Sequence, residues 1–444
     1  MTWLSQLYKR AKAWLPLTAV LVGMLFGCSP ARAKDDQHYV FAHYMVCFAI
    51  YGDSLDGYKR ELRAAQDAGI DGFVLNVGAW TNNPSYVLRT KTIFQAARDL
   101  GTGVDFKLFF SLDMATLRNE YLQEIVRTYA NDPCYFHYKG RPVVSTFAGG
   151  PSLNWKEDFL KPLRAEGIDV CFVPHFFPHP KITELPDESV IAGHLQQWSD
   201  TVDGMFYFGG AGTDVQLTTC NAAYTKVMHA HKKISMASFT PFYWGGWRYF
   251  ETEGGQGTER QWLSIIKTQP EWVEIVTWND FNESYICPIS EYDIKKNITG
   301  LLHPFRYDHT GYLELSKYYI DWYKTGKQPK ITKDTLVYIY RSHPKDTVTP
   351  DNARPVTARH GNVQDVIYLT TMLTAPAELR VTSGTTKTCI RVKKGIQQTQ
   401  VPFQVGNQHF ELYRKDKCLF TQDGEPISDK ITEYNFFSIT GVAY

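Results

Sequence analysis

The sequence has almost no excess of charge and lacks the motifs that mark common cofactor-dependent enzymes. Its 47 Lys and Arg residues against 46 Asp and Glu residues give a formal net charge of +1, so a nucleic-acid partner is not expected. No glycine-rich phosphate loop follows the first apolar segment, and no GxSxG turn of a serine hydrolase is present. Gly209-Gly210-Ala211-Gly212 lacks the lysine that a phosphate loop requires. No cofactor is therefore expected.

The cysteines are equally uninformative about metals. There are eight, and none lie in a CxxC or CxxxC spacing. His175 and His179 follow the same apolar segment, but no HExxH or similar pairing supports them as metal ligands. The sequence leaves open whether Cys389 and Cys418 form a disulfide. Most of the other cysteines are expected to be small apolar core residues.

No apolar run reaches the about 20 residues of a comfortable membrane span. The longest N-terminal run is Leu15–Phe26, with 12 residues, and basic residues precede it. This pattern predicts an export signal over residues 1–28. Its end, Leu25-Phe26-Gly27-Cys28, is similar to a bacterial lipobox, in which case Cys28 is the lipidated first residue of the mature chain.

The alternative to lipidation is plain cleavage near Ala31-Arg32-Ala33, which would give a soluble secreted protein. Either way an extracytoplasmic location is expected, with any membrane contact made only through the lipid on Cys28. Residues 29–38 then form a short linker. The mature chain is expected to be a monomer.

From residue 39 to about residue 330 an apolar segment and an amphipathic helical segment alternate eight times. Glycines such as Gly69, Gly101 and Gly167 end the helical segments. Eight strand–helix units predict a (β/α)8 barrel, and the alternative is an open doubly wound sheet. The predicted strands are Tyr39–Met45, Gly72–Val77, Phe106–Ser111, Pro142–Phe147, Asp169–Pro174, Gly204–Phe208, Ile234–Phe239 and Val273–Trp278.

Residues 331–444 have a different pattern of apolar and polar residues. Segments such as Thr335–Tyr340 and Val366–Thr371 alternate apolar and polar residues with a period of two, and turn residues separate them. This pattern is typical of an antiparallel β-sandwich. Whether this second domain binds a ligand or only caps the barrel stays open.

The segment Glu274–Ser284 contains the most informative motif. An apolar strand ends in Trp278-Asn279 and is followed by two carboxylates three residues apart, Asp280 and Glu283. In a barrel, residues that follow a strand lie at the carboxyl-terminal mouth, where active sites are found. Two carboxylates in one cleft are the minimum needed to break a glycosidic bond. The alternative is a loop with two solvated acids.

The other predicted strand ends carry amide, imidazole, carboxylate and aromatic side chains, a set that suits an uncharged polyhydroxylated ligand. Each has a structural alternative: a core histidine, a strand-end amide or a helix N-cap. The aromatic loop Phe242–Trp247 is interrupted by two glycines, so it is interpreted as a sugar platform rather than core. The candidate substrate contacts are His43, Asn76, Asp113, His175, Tyr243, Trp244, Trp247, Trp278, Asn279 and Tyr285.

The sequence resembles glycoside hydrolase family 71, the α-1,3-glucanases or mutanases, from about residue 39 to the C terminus. The likeness is carried by Phe41–Val46, Ala68–Gly78, Lys107–Met114, Glu274–Pro288 and Val337–Pro344. The resemblance implies an inverting enzyme with a (β/α)8 barrel and a β-sandwich. It also places the acidic pair on Asp280 and Glu283, with α-glucan as the substrate.

Within that pair, Glu283 is assigned as general acid in a desolvated setting and Asp280 as general base, although the reverse assignment stays open. An inverting pair should stand about 6.5–9.5 Å apart, against about 5–5.5 Å for a retaining pair. The chain departs from the family pattern at Asn282, at His175 and at Tyr207-Phe208-Gly209-Gly210, so the glucan linkage is less secure than the reaction. The alternatives are another polysaccharide or a non-catalytic glycan-binding lipoprotein.

Overall fold

The structure, a computed structural model, describes residues 37–100, 105–176, 187–299, 301, 307–349 and 356–444 of the chain. The predicted export signal, with Cys28, and His179 lie outside the described residues. Within the described part of the chain, no helix has both the length and the apolar character needed to cross a membrane.

Strands and helices alternate through the first three quarters of the chain. A 3-10 turn, Asn119–Tyr121, and a π-helical turn, Trp155–Leu160, lie directly before the helices Leu122–Tyr129 and Lys161–Ala165. In chain order the elements are β1 Tyr39–Met45, α1 Leu55–Asp67, β2 Gly72–Val77, α2 Pro84–Asp99, β3 Lys107–Asp113, α3 Leu122–Tyr129, β4 His137–Tyr138, β5 Arg141–Phe147, α4 Lys161–Ala165, β6 Cys171–Phe172, α5 Glu188–Gln196, β7 Gly204–Phe206, α6 Asp214–Ala230, β8 Ile234–Phe239, β9 Tyr243–Gly245, β10 Arg248–Phe250, α7 Gly254–Thr268, β11 Trp272–Ile275, β12 Asn279–Asp280, β13 Ser284–Tyr285, α8 Glu291–Asn297 and α9 Thr310–Thr325.

The first helix shows why the chain folds in this way locally. Ser54 caps α1 by accepting a hydrogen bond from the Gly57 backbone N–H at 3.0 Å, and Leu62 lies on its buried face. After the helix, Gly69 adopts φ +85°, a conformation that a residue with a side chain rarely adopts. The chain can then turn directly into β2, which is buried along its whole length.

All eight predicted strands are present, as β1, β2, β3, β5, β6, β7, β8 and β11. They belong to one curled sheet with the order β4-β5-β3-β2-β1-β11-β8-β7, and β6 also pairs with β5. Except for the short antiparallel pair of β4 with β5, neighbouring strands are parallel. Between β6 and β7, the Asp203 N–H donates to the Phe172 carbonyl at 2.8 Å and the Phe206 N–H donates to the Pro174 carbonyl at 2.9 Å.

The inside of the curled sheet is filled by aromatic rings towards the amino-terminal ends of its strands. The ring of Phe41 lies 4.9 Å from that of Phe109 and 4.8 Å from that of Phe136, between ring centroids. Phe136 in turn lies 5.4 Å from Trp272. These side chains are buried, so this end of the sheet is a packed core.

The C-terminal part of the chain forms antiparallel strands, as its alternating pattern predicts. They make two four-stranded sheets, ordered β19-β16-β14-β22 and β18-β17-β20-β21, while β15 pairs with β10. The strands are β14 Thr335–Arg341, β15 Ala358–His360, β16 Val366–Leu373, β17 Ala377–Ser383, β18 Thr386–Val392, β19 Gly395–Pro402, β20 Gly406–Arg414, β21 Lys417–Ile427 and β22 Ser438–Ala443.

The two C-terminal sheets share an apolar cluster that includes Leu369 from one sheet and Phe410 from the other. The β14 side chains Val337 and Ile339 belong instead to the large core of the N-terminal part. The C-terminal region is therefore packed against the curled sheet and its helices. Cys389 and Cys418 are exposed and free, which answers the open question of their pairing.

Candidate active site

The two candidate carboxylates lie on a loop, residues 276–285, that follows β11; we call it the acid loop. The Trp278 N–H donates to the His43 carbonyl at 2.8 Å, which ties the loop to the end of β1. The Thr277 hydroxyl donates to the Ser284 carbonyl at 2.6 Å and accepts from the Asp280 N–H at 2.6 Å. These bonds cross the base of the loop, so the backbone that bears both acids is fixed.

Trp278 and Asn279 support this loop and do not face a substrate. Both were predicted to contact substrate, but both side chains are fully buried. The Asn279 amide donates to the carbonyls of Met45 at 3.1 Å and Phe48 at 2.6 Å, and it accepts from the Met45 N–H at 2.7 Å. A strand-end amide that joins two loops in this way leaves no surface for a ligand, so the prediction is wrong for both residues.

Trp278 is held by a buried carboxyl that sequence reasoning missed. Its indole N–H donates to Glu61 at 3.2 Å, and the Tyr44 hydroxyl and the Ile50 N–H also donate to Glu61. Burial raises the pKa of Glu61 to about 8, and these three donors oppose the rise. The only sign of Glu61 in the sequence is that helix periodicity places a glutamate on the buried face of α1.

Glu61 gives the first testable prediction, a pH-dependent stability. Its folded pKa of about 8 exceeds the ordinary value of 4.5. Below the ordinary pKa the folded and unfolded states both hold the proton, so the stabilisation from protonated Glu61 is fully present. Between the ordinary and the folded pKa the unfolded state has released the proton while the folded state still holds it. Stability is thus lost as pH rises through the folded pKa, at no more than about 1.4 kcal/mol per pH unit. Urea unfolding of wild type and Glu61→Gln from pH 5 to 9 checks this, because the variant should show a flatter profile. An unchanged slope in Glu61→Gln would assign the dependence to other buried acids.

Glu283 is half-buried and is held from two sides by β9. The Tyr243 hydroxyl donates to Glu283 Oε1 at 2.7 Å, and the Trp244 N–H donates to the Glu283 carbonyl at 3.0 Å. Arg248 Nη2 donates to the Tyr243 hydroxyl oxygen at 2.7 Å. The expected desolvated setting is thus only partly present, since the carboxyl has a polar partner that is itself bonded to a cation.

Asp280 is also half-buried, and its Oδ1 accepts from the Asn282 N–H at 3.0 Å. Cys47 lies on the neighbouring loop after β1. Burial, followed by the negative charge of Asp280, raises the pKa of the Cys47 thiol to about 12. A thiol in this state is a poor nucleophile. Cys47 is therefore not a candidate nucleophile at this rim.

His43 lies at the floor of the same end of the sheet, in contact with a further acid. Its Nδ1 is 2.5 Å from Glu274 Oε1, and both side chains are buried. Burial raises the pKa of Glu274, and His43 opposes that rise. Glu274 was not predicted as a site residue, although a charged residue within an apolar strand is a visible signal. It fixes the orientation of the His43 ring.

Asp113 and Asn76 lie next to His43, so the structure brings these three predicted residues together. Asn76 is hydrogen-bonded to the Asp113 carboxyl, and burial raises the pKa of Asp113 while His43 opposes that rise. Asp113 Oδ1 also accepts from the Ala115 N–H at 3.1 Å in the turn after β3; no helix begins there, so the N-cap alternative is wrong. Because Asp113 is only half-buried, it keeps surface for a ligand, whereas Asn76 acts mainly through it.

His175 and Tyr285 are core residues, which corrects their prediction as substrate contacts. His175 is 3 % exposed, and its Nδ1 is 3.2 Å from the Phe206 carbonyl oxygen. Tyr285 is fully buried, stacks on His309 at 4.0 Å between ring centroids and donates its hydroxyl to the Tyr307 carbonyl at 2.8 Å. Both side chains fill space behind the rim.

The aromatic loop is a hairpin, β9 and β10 (residues 243–250), which we call the aromatic hairpin. Its two tryptophans differ: Trp247 is 59 % exposed, whereas Trp244 is fully buried and lies 4.7 Å from the ring of Phe437. The sugar-platform interpretation is therefore wrong for Trp244 and stays a prediction for Trp247. Within the described residues, no group of three or more His, Cys, Asp or Glu side chains could hold a metal ion.

Comparison with known proteins identifies the family of this chain. The family model described as glycosyl hydrolase family 71 matches residues 36–443. The chain belongs to glycosyl hydrolase family 71. It is therefore a glycoside hydrolase, and the resemblance drawn from the sequence is confirmed.

The family-71 relatives are similar over nearly their whole length. A glucan endo-1,3-alpha-glucosidase of Schizosaccharomyces pombe is 27 % identical over 91 % of this chain and 94 % of its own. A mutanase of Penicillium rubens is 30 % identical over 92 % of this chain and 89 % of its own. Among solved structures, a GH99 endo-alpha-mannosidase from Bacteroides thetaiotaomicron aligns with 66 % of this chain and 99 % of its own at 16 % identity and a TM-score of 0.48.

Proposed function

We propose that this family-71 enzyme hydrolyses α-1,3-glucosidic bonds in α-glucan with inversion of configuration. The observation that carries the proposal is the fixed acid loop, which holds Asp280 and Glu283 at the carboxyl-terminal end of a curled parallel sheet. The substrate follows from the relatives, which are named for endo-1,3-α-glucanase or mutanase activity and align over most of their lengths.

In this mechanism Glu283 is the general acid and Asp280 the general base. Glu283 gives its proton to the glycosidic oxygen as the bond from that oxygen to the anomeric carbon breaks. A water molecule attacks the anomeric carbon from the opposite face and gives its proton to Asp280. Because Oε1 of Glu283 accepts from Tyr243, the transferable proton belongs on Oε2. The reverse assignment is the alternative, and the Discussion gives its test.

The glucan would lie along the rim, between the acid loop and the aromatic hairpin. Asp113, with its free surface, is the candidate for bonding sugar hydroxyls, and His43 is held below it by Glu274. Trp247 offers an exposed ring on which the C–H face of a glucose can pack. Asp113 and Trp247 replace the longer list of predicted contacts, and the buried His43 acts on Asp113 from below.

For the architecture, we propose that the parallel strands close into a (β/α)8 barrel over residues 39–330. The two hydrogen bonds between β6 and β7 support closure. The two C-terminal sheets, over residues 331–444, would form a β-sandwich around their shared apolar cluster. We further propose an extracytoplasmic monomer, exported by residues 1–28 and anchored through a lipid on Cys28; plain cleavage and secretion is the alternative.

The test is reducing-sugar release from insoluble α-1,3-glucan, with α-1,4-glucan, β-1,3-glucan and α-mannan as parallel substrates. Wild type should release sugar from α-1,3-glucan selectively, and Asp280→Asn should not. Asp321→Asn, an exposed aspartate on α9, is the matched control and should behave as wild type. Release from another glycan instead would overturn the substrate, and release by Asp280→Asn would overturn the role of Asp280.

A further inference from the structure

The aromatic hairpin makes a connection to the candidate acid that the two-carboxylate mechanism does not use. Arg248 Nη2 donates to the Tyr243 hydroxyl oxygen at 2.7 Å, and that hydroxyl donates to Glu283 Oε1, also at 2.7 Å. The Arg248 guanidinium carbon lies 5.1 Å from the Tyr243 ring centroid, so the cation packs beside the ring as well. Tyr243 is 1 % exposed, so these two hydrogen bonds are shielded from water on the Tyr243 side.

From this geometry we infer that Arg248 is a positioning residue that acts on Glu283 through Tyr243. A cation bonded to the hydroxyl oxygen polarises the O–H group and strengthens the hydrogen bond that this group donates. The receiving oxygen carries more negative charge after Glu283 has given up its proton. Arg248 thus stabilises the acid in the state it reaches during bond cleavage, when the stabilisation speeds the reaction. This inference rests on the proposed role of Glu283.

The surroundings of Glu283 are consistent with an action through Tyr243. Tyr243 is bonded directly to Glu283, and Arg248 is bonded to Tyr243 behind it. The hydroxyl of Tyr243 cannot ionise at the pH of the reaction, because burial and the adjacent Glu283 raise its pKa. Tyr243 therefore stays a hydrogen-bond donor, and Arg248 determines how strong a donor it is.

The pairing of the aromatic hairpin holds Arg248 and Tyr243 in place. Arg248 pairs across the hairpin with Gly245 and, on the other side, with Ala358 of β15. The Gly245 position has no room for a side chain, since a Cβ there would lie 2.6 Å from the Tyr243 hydroxyl. The C-terminal region therefore contributes a strand to the element that carries Tyr243 and Arg248.

The experiment is a double-mutant cycle on α-1,3-glucan with Arg248→Met, Tyr243→Phe and the combined variant. Arg248→Met should lower kcat about tenfold with little change in KM, since a charge-assisted hydrogen bond is lost. In the Tyr243→Phe background the same substitution should have almost no further effect, because the hydroxyl that transmits it is gone. The alkaline limb of the pH–rate profile should also move to higher pH in Arg248→Met.

Arg359→Met is the matched control. Arg359 lies on the neighbouring strand β15 and its Nη1 donates to Asp346 at 2.7 Å, so its removal disturbs the same small sheet without reaching Glu283. It should keep wild-type kcat and pH profile. Additive losses in the cycle, or an equal loss in Arg359→Met, would overturn the action of Arg248 through Tyr243. Full activity of Glu283→Gln would instead overturn the proposed function, so the two failures are distinguishable.

Discussion

Glu283→Gln is expected to lower kcat on α-1,3-glucan by about 10²–10⁴-fold while glucan binding and thermal stability stay near wild type. The amide keeps the shape of the side chain and can still accept the Tyr243 hydrogen bond through its oxygen, but it has no proton to give. The measurement is the initial rate of sugar release, with a pull-down on insoluble glucan and a thermal melt on the same preparation.

The same variant also decides which carboxylate is the acid. An aryl glycoside with an acidic phenol as leaving group needs little protonation, so loss of the acid should matter far less on it than on glucan. If Glu283 is the acid, Glu283→Gln should recover much of its activity on the aryl substrate, and Asp280→Asn should stay inactive on both. The opposite pattern would exchange the two roles. Glu188→Gln, an exposed glutamate paired with Lys226, is the control.

The sequence predicted the parts of the fold that depend on local pattern. Apolar segments bounded by glycines predict the strands well, because both burial and the helix-ending turn are local properties. The pair Asp280 and Glu283 is also visible as a strand-end motif. Their supports are not, because Glu61 lies 217 residues from Trp278 and Asn279 lies 234 residues from Met45. Contacts over such separations depend on how the sheet curls.

The aromatic residues near the rim show even more clearly that the local sequence does not predict long-range contacts. Tyr243, Trp244 and Trp247 lie within five positions, and composition alone gives them one role. In the structure one bonds the candidate acid, one is core and one is exposed. The alternation along β9 and the partners supplied by the C-terminal region decide this, and neither is fixed by the local sequence. The C-terminal region is therefore part of the rim, through β15 and Phe437.

Trp244→Ala is expected to be the most destabilising change near the site. Its indole is fully buried, lies 4.7 Å from the ring of Phe437 and donates its N–H to the Gly246 carbonyl at 2.9 Å. Removing a buried tryptophan leaves a cavity and costs about 3–5 kcal/mol. Its backbone N–H also bonds the Glu283 carbonyl, so a disturbed hairpin should displace the acid. Thermal melts should show a fall of several degrees, and kcat should drop with it.

Trp247→Ala provides the contrast. It also removes a tryptophan side chain, but one that lies three residues further along the chain and is exposed. Little apolar surface is uncovered, so the melting temperature should stay within about one degree of wild type. If the ring is a sugar platform, KM for glucan should rise about fivefold to thirtyfold at nearly constant kcat, as expected for the loss of uniform binding. A large loss of stability in Trp247→Ala, or a stable and fully active Trp244→Ala, would reverse the two assignments. The pair thus separates support of the acid loop from contact with the glucan.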